Sequence, residues 1–243
     1  MCGIVGYTGK QSVAKQILDA LELLEYRGYD SAGMAIVDET NGQVQIRKRA
    51  GRVADLEKVW KANPVNGICG IGHTRWATHG GVSDVNAHPH RAGRVTLVHN
   101  GIIENYEELK DHFGLADELI SDTDSEVVAA VLNRFYTGDP HEALFQTVKC
   151  LKGTFALVVI FDDIPDVIFA IRNVSPIVAA YREDGTMLAS DVAALGGQAT
   201  SYMVVPEYHV VELHTDDIRV YNMKNELCEA EFLDIDWDTT RAG

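Results

Sequence analysis

The chain has 243 residues, 46% of them hydrophobic, and a formal net charge of −15 at pH 7. That length and apolar content suffice for a full core, and the even composition points to one domain. The acidic balance argues against a nucleic-acid partner, which would need clustered Lys and Arg, and with no leader-like or long apolar run no membrane partner is expected either.

Residues 4–8 read as a short buried strand. Val13, Ile17, Leu18, Leu21 and Leu24 recur at helical spacing and predict a helix ending near Gly28. Residues 32–37 and 44–49 are strand-like and joined through Asn41-Gly42, a strong hairpin signal. The basic run Arg47-Lys48-Arg49 falls in the second of these and reads as a solvated strand edge. Residues 53–60 predict a short helix, and the Gly-spaced stretch 68–73 a central strand. Residues 75–93 are polar, lack periodicity and hold Trp76, His79, His88 and His90. A loop this long in a compact domain is usually functional.

Residues 95–99 read as a strand leading into Asn100-Gly101. Helices are expected over 105–113, 125–136 and 141–151, the second opened by Thr123-Asp124-Ser125-Glu126 with its cap and first-turn acids. Strands are then expected over 155–161, 167–171, 177–181, 187–189, 209–213 and 218–222, with turns such as Glu183-Asp184-Gly185 between them. Strand-rich ends with helices clustered between argue for a mixed, mostly antiparallel α+β architecture. Two sheets packed face to face and covered by helices would bury this many apolar strands. Residues 234–243 are polar and acidic and read as a linker stub.

The four cysteines, Cys2, Cys69, Cys150 and Cys228, lie far apart without a CxxC pair. Neither a zinc ribbon nor a disulfide framework is suggested, and a reducing cytoplasmic setting fits. Cys69 reads as core. Cys2 is the informative one. Removal of Met1 would leave a residue with a thiol and a free α-amine on one Cα. Their ordinary pKa values are near ~8.5 and about 7.7–8.0. The amine could take the thiol's proton, directly or through one water, and the thiolate could attack a carbonyl.

Four segments reinforce this reading: Cys2-Gly3-Ile4-Val5-Gly6, the run from Leu24 through Tyr26-Arg27-Gly28-Tyr29-Asp30 to Gly33, the run His73-Thr74-Arg75-Trp76-Ala77-Thr78-His79-Gly80, and His99-Asn100-Gly101-Ile102-Ile103-Glu104-Asn105. Together they closely resemble the glutaminase domains of the glucosamine-6-phosphate synthase family, the isomerizing glutamine–fructose-6-phosphate aminotransferases. The Cys-Gly-Ile start alone would mark only the wider class of amidotransferases with an N-terminal nucleophile. EYRGYDSAG and HTRWATHG select this family over its purine, asparagine and glutamate relatives, and the resemblance covers nearly the whole chain.

The resemblance implies a four-layer αββα sandwich of the N-terminal-nucleophile (Ntn) hydrolase type. It implies hydrolysis of the side-chain amide of L-glutamine through a Cys2 thioester, in the cytoplasm, without metal or organic cofactor. The ammonia would pass to a C-terminal sugar-isomerase domain for glucosamine 6-phosphate synthesis. Residues 1–243 would be the glutaminase domain alone. The resemblance assigns the oxyanion donors to the Asn100 side-chain amide and the Gly101 N–H, each worth about 10²–10³ in rate. It gives Arg75 the substrate carboxylate and Asp124 the ammonium. Trp76, Thr78 and His79 would close over the substrate, Trp76 matching a residue that gates ammonia passage. Arg27 matches the residue that orders the nucleophile's surroundings.

Without the resemblance each residue has a plainer reading. Asn100-Gly101 would be a hairpin turn, like Asn41-Gly42 and Asn66-Gly67. Arg75 would be a surface ion pair, Asp124 a helix cap and Arg27 a cation at a helix C-terminus. His88-Pro89-His90 has a zinc-like HxH spacing, but no third ligand stands at a recognised distance in sequence. Hydrogen bonding behind the site or loop packing is expected of it instead. One stretch departs from the family: 172–176 and 181–185 stand where relatives tend to carry a Gly-rich segment. Two rival classes stay open here. One is a glutamine-sensing module that keeps Arg75 and Asp124 without a competent nucleophile. The other is a metal-dependent hydrolase built on the histidines.

Overall fold

The computed structural model describes residues 2–237. The first strands are β1 (Gly3–Gly9), β2 (Ser31–Val37), β3 (Val44–Ala50), β4 (Cys69–Arg75), β5 (His90–Ala92), β6 (Val95–Ile103) and β7 (Gly153–Phe161). Then come β8 (Ile164–Asn173), β9 (Val178–Arg182), β10 (Gly185–Ala189), β11 (Ser201–Val204), β12 (Val210–Leu213), β13 (Ile218–Tyr221), β14 (Leu227–Cys228) and β15 (Leu233–Asp234). The helices are α1 (Val13–Leu24), α2 (Val53–Ala62), α3 (Tyr106–Phe113), α4 (Asp124–Phe135) and α5 (Pro140–Cys150).

Eight strands form one sheet in the order β15-β11-β9-β10-β1-β4-β2-β3, and seven form a second in the order β14-β13-β12-β8-β7-β6-β5. Neighbours in both sheets pair antiparallel. The core is layered accordingly. Val5, Tyr7 and Met34 meet Ile17, Leu21 and Leu56 of α1 and α2 on one outer face. Leu97, Leu157 and Phe169 meet Leu109, Val128 and Leu144 of α3, α4 and α5 on the other. Ile4, Ile71, Val98, Val158 and Leu188 fill the space between the sheets. The result is the four-layer αββα sandwich.

Strand alternation then places the site. Residues two apart along a strand share a face. On β4, Cys69 and Ile71 lie in the apolar layer between the sheets, and the same spacing turns His73 and Arg75 to that face. On β6, Val98 lies in that layer, and the same spacing puts Asn100 there. The inter-sheet layer therefore changes from apolar to polar toward one end. Thr123 caps α4 by accepting the Glu126 N–H at 3.2 Å. That leaves Asp124, in the first turn, free of the capping role.

Several sequence expectations need correction. The strand leading into Asn100 does not stop at His99: β6 runs on to Ile103, and Asn100 and Gly101 pair with Ala156 and Phe155 of β7. Asn66-Gly67 is not a turn. Its carbonyls accept from Glu39 and Val13, and a Cβ on Gly67 would lie 2.1 Å from the Val37 oxygen. The basic run does lie on an edge strand, β3, but Lys48 is not solvated there, for its ammonium donates to the carbonyls of Val85, Ala87 and Pro89 at 3.0, 2.8 and 3.2 Å. The short strands β5, β11, β14 and β15 add to the strands that the sequence pattern predicts. Asp234 pairs within β15, Ile235 bonds Thr200, and the Trp237 indole donates to the Ala199 carbonyl at 2.9 Å. Residues 234–237 therefore lie against the domain, and 238–243, the rest of the expected linker stub, fall outside the described residues. Among the described residues no helix is long and apolar enough to cross a membrane.

Candidate active site

Cys2 stands immediately before β1, whose Gly3 pairs with Thr74 of β4 in the middle of the eight-stranded sheet. Its Sγ accepts the Trp76 N–H at 3.2 Å and lies 3.5 Å from the Trp76 carbonyl, the acceptor for its own S–H. Burial pushes the thiol above its ordinary value; the Trp76 N–H and the Arg75 charge pull the other way, while Asp30 adds to the rise.

Two hollows adjoin at this thiol. The larger holds about 300 Å³ and is lined by Cys2, Arg27, Trp76, Thr78, Asn100, Gly101, Ile102, Thr154, Ser175 and Pro176. The smaller, about 20 Å³, is lined by Cys2, Arg75, Trp76, Thr78, His79, Gly101, Asp124 and their neighbours. The residues to which the resemblance gives roles, Arg27, Arg75, Trp76, Thr78, His79, Asn100, Gly101 and Asp124, thus each line a hollow that Cys2 also lines. The divergent 172–176 segment supplies Ser175 and Pro176 to the larger wall. The other divergent segment lies mostly in the β9–β10 hairpin, with Arg182 bonded to Gln16, Asp184 and Gln198.

Arg75 is buried, which rules out the surface ion pair. Its guanidinium donates to the carbonyls of His79, Gly80 and Gly81, the latter two at 3.1 Å. A guanidinium carries five N–H donors, so the contacts to loop carbonyls leave donors for an anion. The cation also braces its own loop. Asn86 ties that loop to the start of α4: its Nδ2 donates to the Gly81 carbonyl at 3.0 Å and its Oδ1 accepts the Asp122 N–H at 3.0 Å. At Gly33 of β2 the loop backbone comes so close that a Cβ would lie 1.9 Å from the His88 oxygen. Asp124 is buried, and its Oδ2 accepts the Ile103 N–H at 2.9 Å. Trp76 is 54% exposed at the rim. His79 meets the edge of Tyr106 with ring centroids 5.5 Å apart.

Arg27 follows α1 in a short 3-10 turn and is held by Asp191 at 2.8 Å. Asp191 also accepts the Tyr26 hydroxyl at 2.8 Å. Nothing in the sequence pointed to Asp191, which is distant along the chain and lies outside every motif. His73, His88, His90 and His99 are buried together behind Asn100. His73 stacks on His88 at 4.0 Å, His90 bonds Thr123 at 3.0 Å and His99 bonds Ser125 at 2.8 Å. Those are contacts behind the site and within the loop. Among the described residues no group of three His, Cys, Asp or Glu has a geometry that could hold a metal. His73 also reaches Asn100, a link no motif announced, although its place two residues before Arg75 on one strand was a usable signal.

Two antiparallel sheets between helix layers, with a cysteine heading a central strand, define the sandwich of the N-terminal-nucleophile hydrolases. A glutamine phosphoribosylpyrophosphate amidotransferase from B. subtilis shares this fold, with a TM-score of 0.77 at 20% identity over 93% of this chain and 50% of that one. The family model described as a glutamine amidotransferase domain matches residues 43–242, and the chain belongs to that family. Similar relatives are named glutamine–fructose-6-phosphate aminotransferase [isomerizing]. The one from Streptomyces coelicolor is 43% identical over 100% of this chain and 40% of its own length. That from Clostridium acetobutylicum is 39% identical over 100% and 40%, and that from Thermus thermophilus 41% identical over 98% and 39%. The chain thus spans about 40% of the length of the relatives it matches.

Proposed function

We propose that this chain is the glutaminase part of an isomerizing glutamine–fructose-6-phosphate aminotransferase. It hydrolyses the side-chain amide of L-glutamine to glutamate and ammonia. The ammonia serves a C-terminal sugar-isomerase domain, in the cytoplasm, for glucosamine 6-phosphate synthesis. One observation carries the reading: the Cys2 thiol stands between a buried cation–anion pair, Arg75 and Asp124, and the carboxamide of Asn100.

The chemistry follows from the residues. With Met1 removed, the Cys2 α-amine is the base nearest the thiol. A thiol raised by burial is a poor nucleophile until that base takes its proton. Sγ then attacks the amide carbon, and the Trp76 N–H steadies the thiolate before attack. Asn100 Nδ2 and the Gly101 N–H receive the oxyanion. The amine returns its proton to the departing ammonia, and water releases glutamate from the thioester. Arg75 takes the α-carboxylate and Asp124 the α-ammonium, so that the side-chain amide is delivered to Cys2.

The smaller hollow, about 20 Å³, has room for about one water. Substrate entry therefore requires the Trp76–Thr78–His79 loop to move, which fits a lid. The larger hollow has Ile102, Pro176 and Trp76 among its walls and is the side toward which ammonia departs.

Cys2→Ala tests the reading. It should abolish glutamine hydrolysis and leave the melting temperature near that of the parent. Undiminished turnover would overturn the assignment. Tight glutamine binding without turnover in the parent chain would favour the sensing module instead.

A further inference from the structure

We propose that His73 is a positioning residue for Asn100: its Nε2–H holds the carboxamide oxygen, which fixes the amide nitrogen toward Cys2. The inference rests on the reading of Asn100 as an oxyanion donor. His73 and Asn100 belong to different sheets, β4 and β6. The contact therefore crosses the inter-sheet layer and registers one sheet's donor against the other sheet's nucleophile.

The direction of each hydrogen bond follows from two backbone carbonyls. His73 Nε2 lies 3.1 Å from the His99 carbonyl oxygen and 3.0 Å from Asn100 Oδ1. Asn100 Nδ2 lies 3.1 Å from the Cys2 carbonyl oxygen. A carbonyl oxygen only accepts. The His99 carbonyl therefore requires the proton on Nε2, and the Cys2 carbonyl requires the NH₂ end of Asn100 to face it. The oxygen of Asn100 then faces His73 and accepts the shared Nε2–H. The reverse arrangement sets oxygen against oxygen at Cys2 and lone pair against oxygen at His99. In the favoured arrangement one N–H of Asn100 meets the Cys2 carbonyl and the second is left for the hollow that Cys2 and Gly101 line.

The ring itself is clamped. It is 1% exposed and lies nearly parallel to His88, with an interplanar angle of 10°. His88 is fixed in turn, its Nδ1 accepting the His99 N–H at 3.3 Å. Burial pushes His73 down to about 3, so the ring stays neutral at ordinary pH, and the His99 carbonyl keeps its one proton on Nε2. An unrestrained carboxamide rotates about a broad, two-fold torsion. Its flipped state would aim an oxygen at the developing oxyanion, so losing the His73 donor removes competent molecules without touching substrate.

The test is a double-mutant cycle on glutamine hydrolysis by the full chain. His73→Phe keeps an aromatic ring against His88 and removes the donor; His73→Gln keeps a donor and loses the ring. In the parent background His73→Phe should lower kcat about tenfold, the worth of one neutral hydrogen bond, with KM unchanged. His73→Gln should retain more of kcat than His73→Phe, whereas a packing role alone would favour the Phe variant. In the Asn100→Ala background His73→Phe should have no further effect. Equal losses in both backgrounds, a loss confined to KM, or unchanged kcat in the parent would overturn the proposal. If Asn100→Ala alone leaves kcat intact, the oxyanion reading itself fails and the inference falls with it.

Discussion

Gly101→Ala is the perturbation whose consequence the geometry states most directly. Gly101 sits inside β6 with φ at +129°, a region that favours glycine. A Cβ there would lie 2.1 Å from the Thr154 carbonyl oxygen, 2.7 Å from its carbon and 3.0 Å from the Phe155 Cα. All three are backbone atoms of the paired strand, so no side chain can swing aside. Relief requires a displacement of about 1 Å, and a misplacement of that size at a reacting centre costs on the order of 10²-fold. The strained φ adds about 1–3 kcal/mol of destabilisation, which corresponds to roughly 2–12 °C in Tm for a domain of this size. Gly42 is the control. Its φ is +70° and a Cβ there would meet nothing within 4 Å, so Gly42→Ala should cost roughly 1–2 kcal/mol and leave kcat unchanged. Glutamine turnover and thermal melts of the two variants decide the matter. Parental kcat in Gly101→Ala, or equal kinetic damage in both variants, would refute the reasoning.

Arg75→Ala should lower kcat/KM by about 2–5 kcal/mol, because it leaves a substrate carboxylate unpaired in a closed site. Glutamine esterified at its α-carboxylate should already be a poor substrate of the parent, and equal turnover of ester and acid would show that Arg75 has another partner. Turnover should persist in EDTA, and its loss with recovery on adding a divalent metal would revive the histidine-based hydrolase. Far from the site, Glu212 accepts from His141 at 2.7 Å and from His214 at 2.8 Å. Burial opposes charge on His141, but its bonds to Glu212 and Asn225 outweigh this and raise it above 6.5. Burial likewise opposes charge on Glu212, and the two histidines outweigh it and hold the carboxyl below 4.5. A raised histidine stabilises fully below its unfolded value and loses that contribution as pH climbs through the folded one. A lowered carboxyl stabilises above its unfolded value and loses that contribution as pH falls through the folded one. The pair is thus strongest between about 4.5 and 6.5. Glu212→Gln should flatten the fall in Tm above that window, and an unchanged pH profile would refute the coupling.

Long periodic elements were readable from the sequence because their burial is written in their spacing. Val13, Ile17, Leu21 and Leu24 mark the buried face of α1, which spans Val13–Leu24. The three Asn-Gly pairs show where such reading stops. Asn41-Gly42 sits in a loop with Gly42 at a positive φ, Asn66-Gly67 packs closely against Val37, and Asn100-Gly101 is inside a paired strand. The dipeptide is the same, and tertiary pairing decides among its conformations. The strands β14 and β15 are two residues each and exist only through their neighbours, so no periodicity could announce them. Residues of the candidate site gathered in contiguous motifs, such as Arg75 to His79, stand out together in the sequence and line hollows shared with Cys2. Those acting across the fold do not: Asp191, after β10, meets Arg27, after α1, on one side of the eight-stranded sheet, and His73 meets Asn100 across the two stacked sheets. Lys48 likewise looked like one charge in a basic run until the loop from Val85 to Pro89 folded over it.

The central claim is that Cys2 is the nucleophile, and covalent labelling with a glutamine-like electrophile followed by mass mapping tests it most directly. The other cysteines offer an internal comparison. Cys69 is buried and its thiol is pushed up to about 12, burial also raises Cys150, and Cys228 lies at the far edge of the seven-stranded sheet. A single adduct on Cys2, in a chain that has lost Met1, with activity falling in proportion to labelling, is the predicted result. An adduct on Cys69, Cys150 or Cys228 that accompanies inactivation, or full activity in a chain labelled at Cys2, would contradict it.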